Sequence, residues 1–126
     1  MIRVYVAGAM SSDNILGVLG NISEGVKYGA LLLKEGFAPF VPHLDVAFRL
    51  QQGKGYNIPM EYYYNYTMEW LRVSQYVLVV PDWEESVGTR KEIEMAEKLG
   101  IPVYYSLEEL LNTKQRKLNV KEMSKM

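Results

Sequence analysis

Cysteine is absent from this 126-residue chain. That single absence excludes disulfides, thiol catalysis and thiolate-held metals. Histidine occurs once, at His43, and no cluster of metal ligands is visible, so neither a metal nor another cofactor is expected. Charge of one sign is also lacking. Fourteen Lys and Arg stand against 15 Asp and Glu, a net charge of -1. No basic field is available to gather nucleic acid, which is not expected as a partner. No apolar run approaches the ~20 residues of a membrane span. The N-terminus lacks the apolar stretch and small-residue cleavage site of a signal peptide. No membrane association is expected, and the cytoplasm is the expected location.

What is present is a globular composition, 48% hydrophobic, of a length that suits one domain. Residues 2–7 (IRVYVA) read as a β-branched strand stopped by Gly8. Residues 9–20 read as a polar, glycine-bearing loop. Asn21 then opens a helix whose apolar stripe is Ile22, Val26, Ala30 and Leu33, ended by Gly36. Phe37 to Val41 is a second strand, and Pro39 places it near an edge or a strand end. His43 to Pro59 is a long loop or short helix, and 60–73 is a tyrosine-rich helix. Tyr76 to Val80 is a strand apolar on both faces. Thr89 to Leu99 is a helix closed by Gly100, and Pro102 to Tyr105 is a last short strand. Ser106 to Glu109 is a capping box that opens a final helix. The alternation predicts a doubly wound α/β domain. A parallel sheet of four or five strands, in a flavodoxin- or Rossmann-like arrangement, carries helices on both faces. Ligands of such sheets bind beyond the carboxyl ends of the strands. Residues 113–126 read as a basic tail beyond a domain of residues 1–112.

Two segments at those strand ends carry candidate chemistry. The first is Gly8-Ala9-Met10-Ser11-Ser12. Gly8 permits a sharp turn and close ligand approach, and the following amides and hydroxyls suit an anion. The same residues also make a plain strand-ending turn. Tyr5, three residues before Gly8, is either core or within reach of the site. The second segment is Pro81 to Glu92. Ser86 and Thr89 are both N-cap candidates, and free amides at a helix start suit a phosphate. Glu92 has two readings. It completes a Thr89-x-x-Glu92 capping box, or it lies on the inward stripe with Ala96 and Leu99 and points into the ligand crevice. There the helix start favours the charged form that a nucleophile needs. His43 and Asp45, after the second strand, are structural hydrogen-bonding groups or pocket residues. Tyr62, Tyr63, Tyr64, Tyr66 and Trp70 cover several faces of one helix. That pattern points to contact with a second subunit, or to one tyrosine stacking on a base.

Together these motifs resemble the nucleoside 2-deoxyribosyltransferase superfamily. Its members include the 2'-deoxynucleoside 5'-monophosphate N-hydrolases and uncharacterised phage-associated relatives. The resemblance runs over residues 2–112. It rests on Val4 to Ser11, on the Gly36-Phe37 to Val41-Pro42 strand, and above all on Asp82 to Ala96. It implies that Glu92 is the nucleophile that attacks C1' and expels the base, with Tyr5 beside it. It implies that Ser86, next to Gly88, holds a 5'-phosphate where the transferases have an aspartate. Gly8, Ala9, Met10 and Ser11 fall on the first ligand loop, and His43 is a further substrate-binding candidate. The implied function is a nucleotide-directed N-glycosidase with a small-molecule nucleoside or nucleotide partner. Self-association through the tyrosine-rich helix, as a homodimer or larger homo-oligomer, is expected. The alternative is a nucleotide-binding or sensing protein without turnover. One position departs from the family. Its aspartate on the helix before the third strand falls near Thr67 here, flanked by Asn65 and Glu69.

Overall fold

The computed structural model describes residues 1–113. Apart from Thr113, the expected basic tail lies outside the described residues. Four strands form one parallel sheet: β1 (Arg3–Ala7), β2 (Ala38–Phe40), β3 (Tyr76–Val79) and β4 (Val103–Tyr104). The helices are α1 (Ile15–Lys34), α2 (Val46–Arg49), α3 (Met60–Arg72) and α4 (Val87–Lys98). A 3-10 turn, Pro42–Asp45, leads into α2, and residues 107–113 form the last helical segment. The strand order is β2-β1-β3-β4, the doubly wound order expected. Pro39 sits opposite Val4 on edge strand β2, where a missing N–H costs one ladder bond at most.

Side chains alternate between two buried layers, which is why β1 and β3 are apolar throughout. Val4, Val6, Tyr76, Leu78 and Val80 pack with Leu32 of α1, Phe37, Val41 and Leu110. Tyr5, Ala7, Val77 and Val79 pack with Met68 and Leu71 of α3 and with Ile93 and Ala96 of α4. The helices therefore cover both faces, and Tyr5 is fully buried on the α3–α4 side. Gly36 and Gly100 close α1 and α4 at left-handed φ values of 87° and 74°. Ser106 Oγ accepts from the Glu109 amide at 3.1 Å, so this part of the expected cap is formed.

Helix α1 departs from expectation at both its start and its buried face. It begins six residues before Asn21, because Asn14 is the true N-cap and accepts from the Gly17 amide at 2.8 Å. The glycines at 17 and 20, counted as loop residues, are helical. The expected stripe is also wrong: Val26, Ala30 and Leu33 are exposed. The face laid on the sheet is Gly25, Gly29 and Leu32. A Cβ at Gly25 would stand 2.3 Å from His43 Cγ, and one at Gly29 would stand 2.5 Å from Val41 Cγ2. The helix thus approaches the end of β2 by omitting side chains, and periodicity of apolar residues does not register a glycine face.

The same geometry sets a test. Gly25→Ala forces its methyl into the His43 ring and should cost about 1–3 kcal/mol as overpacking. Gly20→Ala has open space around its Cβ and should be neutral or stabilising by up to about 1 kcal/mol. Denaturant midpoints of the two variants against wild type check both signs.

Candidate functional site

The loops after β1, β2 and β3 enclose a cavity of about 620 Å³. It lies where the chain reverses direction across β1 and β3, the usual ligand crevice of this sheet order. Tyr5, Gly8, Ala9, Met10, Ser11, Ser86, Gly88 and Glu92 all line it. The structure therefore brings together every expected site residue except His43. His43 is buried behind the first loop, against the face of α1. Burial lowers its basicity, and the Ala9 backbone only partly opposes this. Gly8 is required by packing: a Cβ there would sit 2.8 Å from Val80 Cβ and 3.3 Å from His43 Nε2. Asn21, in the second turn of α1, holds the loop by donating to the carbonyls of Met10 at 3.3 Å and Ser11 at 3.1 Å.

Helix α4 resolves the two readings of Glu92. Ser86 is the N-cap, accepting from the Thr89 amide at 3.2 Å and from the Thr89 hydroxyl at 2.8 Å. Glu92 lies beyond that first turn, so it is not the acid of a capping box. Among the described residues the amides of Val87 and Gly88 have no acceptor, leaving two donors at the positive end of α4. Asp82, just before this turn, has a left-handed φ of 65°, a conformation that Asp tolerates better than most residues.

Glu92 keeps part of its surface in the cavity, but protein surrounds its carboxyl. Burial pushes its pKa up to about 7, and the nearby Tyr5 hydroxyl only partly offsets this. The helix start thus does not hold it ionised, because desolvation outweighs a dipole that fades after the first turn. Burial first, then the Glu92 charge, holds Tyr5 well above the usual phenol range. The Tyr5 hydroxyl stays protonated. It lacks a partner of good hydrogen-bond geometry, yet it lies close enough to Glu92 for each to shift the other's ionisation.

The opposite wall comes from residues the sequence left undecided or passed over. Asp45, Arg49, Met60, Tyr63 and Thr67 line it. Burial raises the pKa of Asp45, against a 3.3 Å hydrogen bond from the Tyr66 hydroxyl and the charge of Arg49. The Arg49 guanidinium lies 4.9 Å from the centre of the Tyr63 ring. Thr67 occupies the position where the resemblance leads one to seek an aspartate. Its hydroxyl lies 3.0 Å from the carbonyls of Tyr63 and Tyr64 in its own helix and is close enough to Tyr5 to favour the phenol's ionised form slightly. Arg49 carried no motif; the only available signal was a cation placed shortly after a strand end. Among the described residues no group of three or more His, Asp or Glu side chains is placed to hold a metal ion. No helix among them is long and apolar enough to cross a membrane.

This parallel sheet, ordered β2-β1-β3-β4 with helices on both faces, has the fold of a solved nucleoside-modifying enzyme. A solved 2-deoxyribosyltransferase from the psychrotolerant bacterium Bacillus psychrosaccharolyticus superposes with a TM-score of 0.58. It is 17% identical, and the match covers 80% of this chain and 69% of that one. The chain itself belongs to the DUF4406 family, described as a domain of unknown function, whose model matches residues 2–105. A search among curated proteins finds no match to the chain.

The raised Glu92 pKa has a consequence for stability. Well below pH 4.5 the carboxyl is neutral whether the chain is folded or not. Between 4.5 and about 7 the unfolded chain releases the proton first, so folding stability falls as pH rises. The loss levels off above the folded pKa, near 3 kcal/mol in total. Glu92→Gln should therefore be more stable than wild type by about 1–3 kcal/mol at pH 8 and equal to it near pH 4.5. Chemical denaturation at the two pH values measures this.

Proposed function

We propose that the protein is an N-glycosidase acting on (deoxy)nucleoside 5'-monophosphates, with Glu92 as nucleophile. The observation that carries this reading is a buried carboxyl, poised near neutrality beside Tyr5, in a cavity that also holds a helix start with free amides. A group titrating near 7 is ionised often enough to attack and is not so stable that it cannot bond carbon. Attack at C1' expels the base and leaves a glycosyl ester on Glu92, which water or a second base resolves, as in retaining glycosidases. The Tyr5 hydroxyl orients the carboxylate. Ser86, the Val87 and Gly88 amides, and Ser11 of the first loop hold the phosphate. Serine at 86 suits this role because a carboxylate there would repel a phosphate. Tyr62, Tyr64 and Trp70 remain 60%, 44% and 47% exposed, and self-association through this helix is part of the proposal. A second reading, nucleotide binding without turnover, draws on Thr67, which offers no proton to a leaving base.

Base release from a panel of 2'-deoxynucleoside 5'-monophosphates tests the activity. Turnover that rises with pH to a plateau above about 7, and that disappears in Glu92→Ala, is expected. Thermal stabilisation by nucleotide with no base released would favour the second reading. Ser86→Asp keeps an N-cap but puts a charge beside the phosphate. It should raise KM for the monophosphates about tenfold or more while leaving free nucleosides unaffected, as steady-state kinetics on matched pairs will show.

A further inference from the structure

We propose that Arg49 selects the leaving base, donating to a ring carbonyl and holding the negative charge that collects there as the glycosidic bond breaks. This inference rests on the N-glycosidase reading and names the substrate class within it: oxo bases in preference to adenine.

Placement comes first. Arg49 follows β2, the first loop follows β1, and Ser86 and Glu92 follow β3, in the sheet order β2-β1-β3. Ser86 and Arg49 therefore line one cavity from segments that follow strands on either side of β1. Tyr5, on the strand between them, senses the charges of both Glu92 and Asp45. A mononucleotide with its phosphate on the α4 start and C1' at Glu92 directs its base toward Arg49.

The state of Arg49 comes second. A guanidinium is charged at every working pH and carries five donors. Here one of them, Nη2, reaches only the thioether of Met60 at 3.5 Å, a weak acceptor. Nε is buried with no partner. Among the described residues no carboxylate lies within ion-pair distance of it, although Asp45 feels its charge. The face of the group is fixed against Tyr63. The guanidinium thus has only a weak acceptor at Nη2, and Arg49 lines the cavity, so a carbonyl oxygen there would accept from its Nη donors.

The chemistry comes third. As Glu92 bonds to C1', the C1'–N bond breaks and its electron pair stays on the base. In hypoxanthine, guanine, uracil or thymine that charge spreads onto a ring carbonyl oxygen, where Arg49 donates. No proton is then required from α3, where Thr67 offers an alcohol and not an acid. The base anion takes a proton from the water whose oxygen bonds to C1' as the Glu92 ester breaks, and the carboxylate returns. Adenine has no ring carbonyl and gains nothing from this group.

The test uses 2'-deoxyinosine and 2'-deoxyadenosine 5'-monophosphates, which differ only at purine C6. Wild type is expected to favour hypoxanthine release by about tenfold or more in kcat/KM. Arg49→Gln should lose about 10²-fold on the inosine substrate and about threefold or less on the adenosine one. Arg49→Lys, which keeps the charge but not the fork, should fall between. Replacing uracil by the better leaving group 5-fluorouracil should rescue Arg49→Gln more than it aids wild type. Equal losses on both purines, or a KM increase confined to phosphorylated substrates, would overturn the inference and leave the N-glycosidase reading standing. A wild type that releases no base from any of these substrates overturns both.

Discussion

The site depends on one constraint: a carboxylate is kept where water cannot fully solvate it. Glu92 is placed there by the β1–β3 pairing, which sets Ala7 beside Val79 and brings α4 down over the end of Tyr5. The surrounding layer is apolar, with Ile93 and Ala96 on the same helix and Met68 on α3. Ionising a carboxyl in that setting is expensive, and the expense appears as a pKa near 7. Fully solvated, Glu92 would be an ordinary surface acid and a poor nucleophile. With no polar neighbour at all, it would stay protonated. The Tyr5 hydroxyl and the open side of the cavity set the balance between those extremes.

The second layer of the sheet sustains that position indirectly. Glycines 25 and 29 let α1 press against His43 and Val41, and His43 in turn underlies Gly8. Asn21 reaches from α1 to the carbonyls of Met10 and Ser11. The first ligand loop is therefore held from below by a buried imidazole and from the side by an amide. Burial keeps that imidazole neutral, so it supports the loop without placing a positive charge beneath the cavity.

Strand pattern and strand-end logic were legible in the sequence, because alternation on β1 and β3 is imposed by two apolar layers and leaves a residue-level trace. Tyr5, Gly8, Ser86 and Glu92 were legible for the same reason: each lies at a fixed offset from a strand end or a cap. Three features left no comparable trace. The buried face of α1 is made of glycines, and glycine scores as a breaker unless one sees what it lies against. The choice between Ser86 and Thr89 as cap, and so the role of Glu92, turned on which hydroxyl accepts; both residues suit the position. Arg49 is separated from Glu92 by 43 positions of sequence, and only the fold brings them to one cavity.

Helix α2, a single turn of four residues, has no buried residue of its own. It follows an edge strand and is succeeded by a run of exposed turns. Glu92, by contrast, stands on a helix seated in the core. On the reading proposed above, the two tasks are thus separated physically: bond breaking belongs to a helix packed in the core, and the choice of what is broken belongs to a surface segment. Such an arrangement is modular. The segment after β2 buries no residue of its short helix, so on that reading its length and sequence, and base preference with them, can vary while the core remains untouched.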